Sequence, residues 1–184
     1  MDAVFTNTKE RMNKTINALI AEYATIRAGR ANPAVLDKIT VDYYGTATPI
    51  QQLATVSATE ARVLTIQPWD ASVLNAIAKA IQASDLGINP QNDGRVIRLN
   101  FPPLTEERRK QLCKDVQKTA EESKVACRQI RRDSIEKLKA MKKSSEITED
   151  DLKNGETKVQ KITDDFVKQI EKIASDKEAE IMEI

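Results

Sequence analysis

The stretch VACRQIRRD, residues 125–133, places Arg128, Arg131 and Arg132 within five positions of one another. A guanidinium grips a phosphate or carboxylate through two parallel N–H donors and stacks on flat rings, which a lysine ammonium does not. Three such groups, with Lys124 one turn earlier, suit recognition of an anionic surface rather than bond making. The other reactive residue types point the same way. Histidine is absent, which excludes His-based triads, His general bases and most zinc sites. Cys113 and Cys127 lie in one helical pattern, so an intact helix separates their Cα atoms by about 21 Å. A disulfide needs less than ~7 Å, and neither cysteine has a base partner in the pattern, so both are expected as free thiols filling a core. Asp164–Asp165 reads as a solvated helix face, and Glu149–Asp150–Asp151 as an acidic first turn. No Walker loop and no G-x-G-x-x-G occurs, so the chain is not expected to hydrolyse nucleotide. An enzyme is the disfavoured reading, and no cofactor or metal is expected.

The elements that would hold the arginines follow from periodicity and punctuation. All six prolines fall between residues 31 and 105, with Gly45, Gly87 and Gly94, so the chain divides into helix, turn-rich middle and helix. Phe5, Met12, Ile16, Leu19, Tyr23 and Ile26 recur at helical spacings, with Gly29 as C-cap and Pro33 barring continuation. In the middle, KITVDYYG, ARVLTIQPW and RVIRLNFPP read as strands. DASVLNAIAKAIQASDLG reads as a helix of about four turns from Asp70 to Gly87. A long helix then opens on Thr105 with Glu106 and Glu107 in its first turn. It carries Leu112, Val116, Ala120, Cys127, Ile130, Leu138 and Met141. After KKSSEITEDD, Thr148 and Asp151 resemble a capping box. The last helix carries Leu152, Val159, Ile162, Phe166, Ile170, Ile173 and Ile181.

Three apolar stripes must bury one another. The expected fold is therefore α+β: an antiparallel three-helix bundle from residues 1–30 and 105–184, with a small β/α/β domain, 31–104, inserted. Two short peptides join the domains, Arg30, Ala31, Asn32 and Pro33 in one, Pro102, Pro103, Leu104 and Thr105 in the other. With so narrow a joint, relative motion is the default expectation. No apolar run approaches the length of a membrane span, and the N-terminus lacks the pattern of a secretory signal, so a soluble monomer of the bacterial cytoplasm is expected.

The near-neutral chain, with 29 Lys+Arg against 28 Asp+Glu, hides an asymmetry. Residues 106–143 carry a net charge of +6 and residues 146–184 a net charge of −6. At 100° per residue from Ile130, the residues Lys110, Lys114, Lys124, Arg128, Arg131, Arg132, Lys139 and Lys142 fall at roughly 100–200°. Asp115, Glu122, Asp133 and Glu136 lie to one side, at roughly 240–300°. The bland reading is a solvated face that pairs with the acidic last helix. The sharper reading is a ridge with little to neutralise it, built for phosphates, most naturally those of RNA recognised by shape. A rival of another class is a helical adaptor that binds a protein partner through stripes left exposed.

RAGRANP, VDYYG, ASDLGINP, PPLTEERRK and VACRQIRRD followed by ITEDD, in this order and spanning nearly the whole chain, resemble the ribosome recycling factor family. That resemblance implies an L-shaped, tRNA-sized protein. It would bind the large ribosomal subunit after termination and, with elongation factor G and GTP, split the ribosome into subunits. It also implies that Arg128, Arg131 and Arg132 meet ribosomal RNA, with Arg27 and Arg30 at the nearby helix end and Lys124 on the same ridge. Nothing in it assigns a role to Gly155, which one turn into the last helix costs ~1 kcal/mol relative to alanine and would loosen that end.

Overall fold

The computed structural model describes residues 1–26 and 30–183. Among these residues the α-helices and strands follow in the order α1 (Asp2–Ala24), β1 (Thr40–Tyr43), β2 (Thr46–Pro49), β3 (Ala54–Glu60), β4 (Val63–Pro68), α2 (Leu74–Ala83), β5 (Gln91–Asn92), β6 (Ile97–Asn100), α3 (Glu106–Lys143) and α4 (Glu149–Met182). They divide into two compact units, Met1–Tyr23 with Lys110–Glu180, and Ala24–Arg109 with Ile181–Ile184.

The first unit is a helical bundle whose register is legible from its polar pairs. Lys142 meets Glu149, Arg131 meets Gln160, Lys124 meets Glu171 and Gln117 meets Glu178, so α3 and α4 run antiparallel. Thr8 meets Ser134, Arg11 meets Asp133 and Tyr23 meets Val116, so α1 is also antiparallel to α3. Phe5, Met12, Ile16, Leu19 and Tyr23 are buried, as are Leu112, Val116, Ala120, Cys127, Ile130 and Leu138, and Leu152, Val159, Ile162, Phe166 and Ile170; Ile181 is buried as well but falls in the second unit. The adaptor alternative required these stripes to be exposed; they are spent on one another. Met141 and Ile173 are only half-buried.

Thr8 and Ser134, with Thr163 and Lys177, are polar residues buried in the helical unit where the sequence reading placed none. The Thr8 and Ser134 hydroxyls are buried and 2.6 Å apart, so one donates to the other, and the acceptor of that bond donates one turn back along its own helix, Thr8 to Val4 or Ser134 to Ile130. Both oxygens therefore have partners, as burial demands. Helix ends are settled by short side chains. Thr105 Oγ1 accepts from the Arg108 amide at 3.2 Å. The Thr148–Asp151 box closes in both directions, at 3.0 and 3.1 Å, and the Thr148 amide and hydroxyl, both donating to the Asp151 carboxyl, hold it below its usual range. By contrast, α1 stops at Ala24, and Ile26 lies beyond it; the expected Gly29 cap lies outside the described residues.

Gly155 is a correction. It is buried, and a Cβ built on it would lie 3.0 Å from Leu138 Cδ1 and 3.7 Å from Met1 Sδ. The missing side chain lets α4 approach the fully buried Leu138 of α3. It tightens that end of the bundle instead of loosening it.

The second unit has an antiparallel four-stranded sheet in the order β3-β4-β6-β5 and a separate β1-β2 hairpin. Leu64 and Ile66 of β4 and Ile97 and Leu99 of β6 point to a core completed by Ile77 and Ile81 of α2. The sequence order β/α/β is thus realised on neighbouring strands, β4 and β6, that run antiparallel. Strand β3 escaped the sequence reading because only Ala54 of its seven residues is buried, which leaves no apolar alternation to detect. The helix expected from Asp70 to Gly87 is shorter. Asp70 caps a 3₁₀ turn, Ala71–Val73, and α2 ends at Ala83, where Ser84 Oγ donates to the Ile81 carbonyl and extended backbone carries the chain away.

Candidate nucleic-acid interface

α3 holds Lys124, Arg128, Arg131 and Arg132 on its outer side because its inner side is committed to the core through Val116, Ala120, Cys127, Ile130 and Leu138. The ridge is less free than helical arithmetic implied. Glu121 lies at about 180° from Ile130 on the same wheel, in the middle of the cations. Its Oε1 accepts from Arg128 Nη1 at 3.0 Å and its Oε2 is 3.6 Å from Lys124 Nζ. The hydrogen bond from Arg128 is the main reason the Glu121 carboxyl sits below its ordinary range. Lys124 is also 3.2 Å from Glu171 of α4, and its side chain is only 16% exposed. Lys142 pairs with Glu149. The expectation that little neutralises the ridge is therefore overturned for these three: one carboxylate on the ridge itself and two on α4 pair with them.

Arg131 and Arg132 differ. Arg131 Nη1 donates to the side-chain oxygen of Gln160 at 2.9 Å, and Gln160 Nε2 donates to Asp164 Oδ1 at 2.8 Å. Arg132 is exposed and forms no side-chain hydrogen bond or ion pair with the described residues. On the opposite flank, Asp133 accepts from Arg11 Nη2 at 2.7 Å and from Gln129 at 2.9 Å. Those bonds, the one from Arg11 foremost, lower its carboxyl. Asp164 and Asp165 are exposed, as expected of a solvated face, but Asp164 is linked through Gln160 to the ridge.

The remaining candidates lie elsewhere. Arg27 is outside the described residues. Arg30 is exposed and belongs to the second unit. Ala31 donates its amide to the Ala61 carbonyl at 2.8 Å, and Asn32 Oδ1 accepts from the Ala34 amide, capping a 3₁₀ turn that Pro33 opens. Pro102, Pro103 and Leu104 carry no regular structure before Thr105 caps α3. Sequence reasoning missed Glu121, which the wheel contains, and Gln160, which no spacing within α3 could reveal.

Cys127 is buried, Cys113 half-buried, and both are free. Burial pushes both thiols up, away from the reactive thiolate. Tyr23, buried with its hydroxyl donating to the Val116 carbonyl at 2.6 Å, is pushed up to about 12 by burial and by Glu178. Among the described residues no group of three or more His, Cys, Asp or Glu side chains is placed to hold a metal. No described helix is long and apolar enough to cross a membrane.

The chain is similar over its length to proteins of one kind. It is 59% identical over 180 residues to the ribosome-recycling factor of Acetivibrio thermocellus, covering 98% of each. It is 60% identical over 176 residues to that of Caldicellulosiruptor saccharolyticus, covering 96% of each. A solution structure of the ribosome recycling factor superposes with a TM-score of 0.78 at 38% identity, over 100% of this chain and 97% of that one. A second structure, the T. thermophilus ribosome recycling factor bound with E. coli elongation factor G to the E. coli post-termination complex, superposes with a TM-score of 0.67 at 45% identity, over 99% and 98%. The family model for ribosome recycling factor matches residues 19–182, and with these relatives it shows that the chain belongs to the ribosome recycling factor family.

Proposed function

We propose that the chain binds the large subunit of the post-termination ribosome through ribosomal RNA and, with elongation factor G and GTP, splits the ribosome into subunits. The observation that carries the RNA-facing part is the state of the ridge. Arg131 is held by a neutral amide and Arg132 has no anionic partner among the described residues, so two guanidinium charges remain available to phosphates. Arg128 joins them by exchanging Glu121 for a phosphate. Lys124 acts mainly by engaging Glu121 and Glu171, and Arg27 and Arg30 add charge near the end of the first helix.

On this reading the protein is not an enzyme. Hydrolysis belongs to elongation factor G, and the setting is the bacterial cytoplasm, with the protein a monomer. The peptides Arg30–Pro33 and 102–105 both fall inside the second unit, a few residues from where the chain passes to the bundle at 23–24 and 109–110. On this reading they let the β/α/β domain turn, because proline restricts φ to about −65° and leaves rotation to the residues around it. The test is a splitting assay with post-termination ribosomes, elongation factor G and GTP, run beside co-sedimentation with large subunits. Arg131→Ala together with Arg132→Ala should weaken docking and splitting together. A reversible cross-link joining the two units should spare docking and slow splitting, and reduction should restore it. Unchanged docking of the double variant, or full-rate splitting by the locked protein, would remove the corresponding half of the proposal.

A further inference from the structure

Arg128 and Arg131 carry the same group on one helix, three residues apart, and the structure holds them in chemically opposite ways. Arg128 donates to a carboxylate, Glu121, at 3.0 Å. Arg131 donates to an amide, Gln160, at 2.9 Å, and that amide donates onward to Asp164 at 2.8 Å. A guanidinium only donates, a carboxylate only accepts, and an amide has one end of each kind. Gln160 therefore fits between Arg131 and Asp164 in one orientation; turned over, its NH2 would face the guanidinium and its oxygen the carboxylate. The insertion keeps Asp164 from contacting Arg131, so the guanidinium is oriented without being neutralised. Gln160 and Asp164 also line an open groove between α3 and α4, with Lys139 and Lys161 there alongside the carboxylates of Glu156 and Asp164.

We propose that Gln160 is a positioning residue for Arg131, a neutral link on α4 that fixes the guanidinium while preserving its charge and its remaining donors for a phosphate. The arrangement makes Arg131 the pre-aimed cation of the ridge, Arg132 the mobile one and Arg128 the one held in reserve by Glu121. This rests on the reading of the face as an RNA interface and adds the residue that sets the electrostatic state of one arginine.

The test measures large-subunit affinity against salt for the full chain carrying Arg131→Ala, Gln160→Glu, Gln160→Ala, or Arg131→Ala with Gln160→Glu. Gln160→Glu turns the amide contact into an ion pair. It should weaken binding roughly five- to tenfold near 0.1 M salt and reduce the slope of log K against log salt by about 1, as Arg131→Ala does. In the Arg131→Ala background it should add nothing. Gln160→Ala removes the aim but not the charge, so it should cost roughly two- to fivefold with the slope unchanged. Gln160 is exposed and Arg131 half-buried on the outer side of α3, so thermal unfolding should move little, and a structural role could not produce the split between affinity and slope. Native-like binding by Gln160→Glu, or an equal loss with and without Arg131, overturns the inference. If Arg131→Ala itself binds like the native protein, the interface reading falls with it; if only Arg131→Ala weakens binding, the interface stands and Gln160 has no part in it.

Discussion

The two sides of α3 solve different problems with residues a few positions apart. On the inner side, Leu138 is fully buried against Gly155, and the buried hydroxyls of Thr8 and Ser134 are hydrogen-bonded to each other. On the outer side, the exposed Arg128 meets a carboxylate, the half-buried Arg131 an amide, and the exposed Arg132 no partner among the described residues. The inner contacts involve dry, tightly fitted atoms, so each is worth kilocalories. Exposed ion pairs contribute only ~0–1 kcal/mol. The fold and the charge of this face can therefore change independently.

The largest expected effect lies inside. Leu138→Ala opens a cavity beside Gly155 and should cost about 2–5 kcal/mol in denaturant unfolding. A cost below about 1 kcal/mol would mean that α4 closes the gap and that the contact is not tight. Next comes Gly155→Ala. The added methyl meets Leu138 Cδ1 at 3.0 Å, so overpacking of about 1–3 kcal/mol opposes a helix-propensity gain of about 1 kcal/mol. We expect net destabilisation. In the Leu138→Ala background the same change should become stabilising by about 1 kcal/mol, and this reversal of sign is the sharpest measure of the contact.

Outside, the expected stability effects are small. Arg132→Ala should shift unfolding by less than ~0.5 kcal/mol, while lowering the salt slope of large-subunit binding by about 1. A large loss of stability would erase the distinction between the two sides. The smallest effect is one of pH. Arg11 lowers the Asp133 carboxyl in the folded chain, so its contribution is present above the unfolded value near about 3.9 and is lost as pH falls through the lower folded value. Asp133→Asn should therefore alter the pH dependence of stability only on the acid limb, in thermal melts taken across pH 2–6. A change near pH 7 that varied with pH would point to another group.

Much of this protein was written in periodicity and punctuation. The stripes of α1, α3 and α4, the caps at Thr105 and Thr148, and the strands around Val41, Leu64 and Leu99 are local patterns that repeat at 3.6 or 2 residues. A single sequence carries such patterns because neighbours along the chain enforce them. The tertiary structure decided the rest. Strand β3 exists because β4 pairs with it, not because its own residues alternate. Gly155 looked like a weak point until α4 was laid on Leu138. The arginines could be counted and placed on a wheel, but Glu121 was passed over, and Gln160, 29 residues from Arg131, becomes its partner only when α4 folds back antiparallel to α3. The number and face of the charges belonged to the sequence. Which of them are neutralised, aimed or left free is a matter of distances between helices, and those exist only in the folded chain.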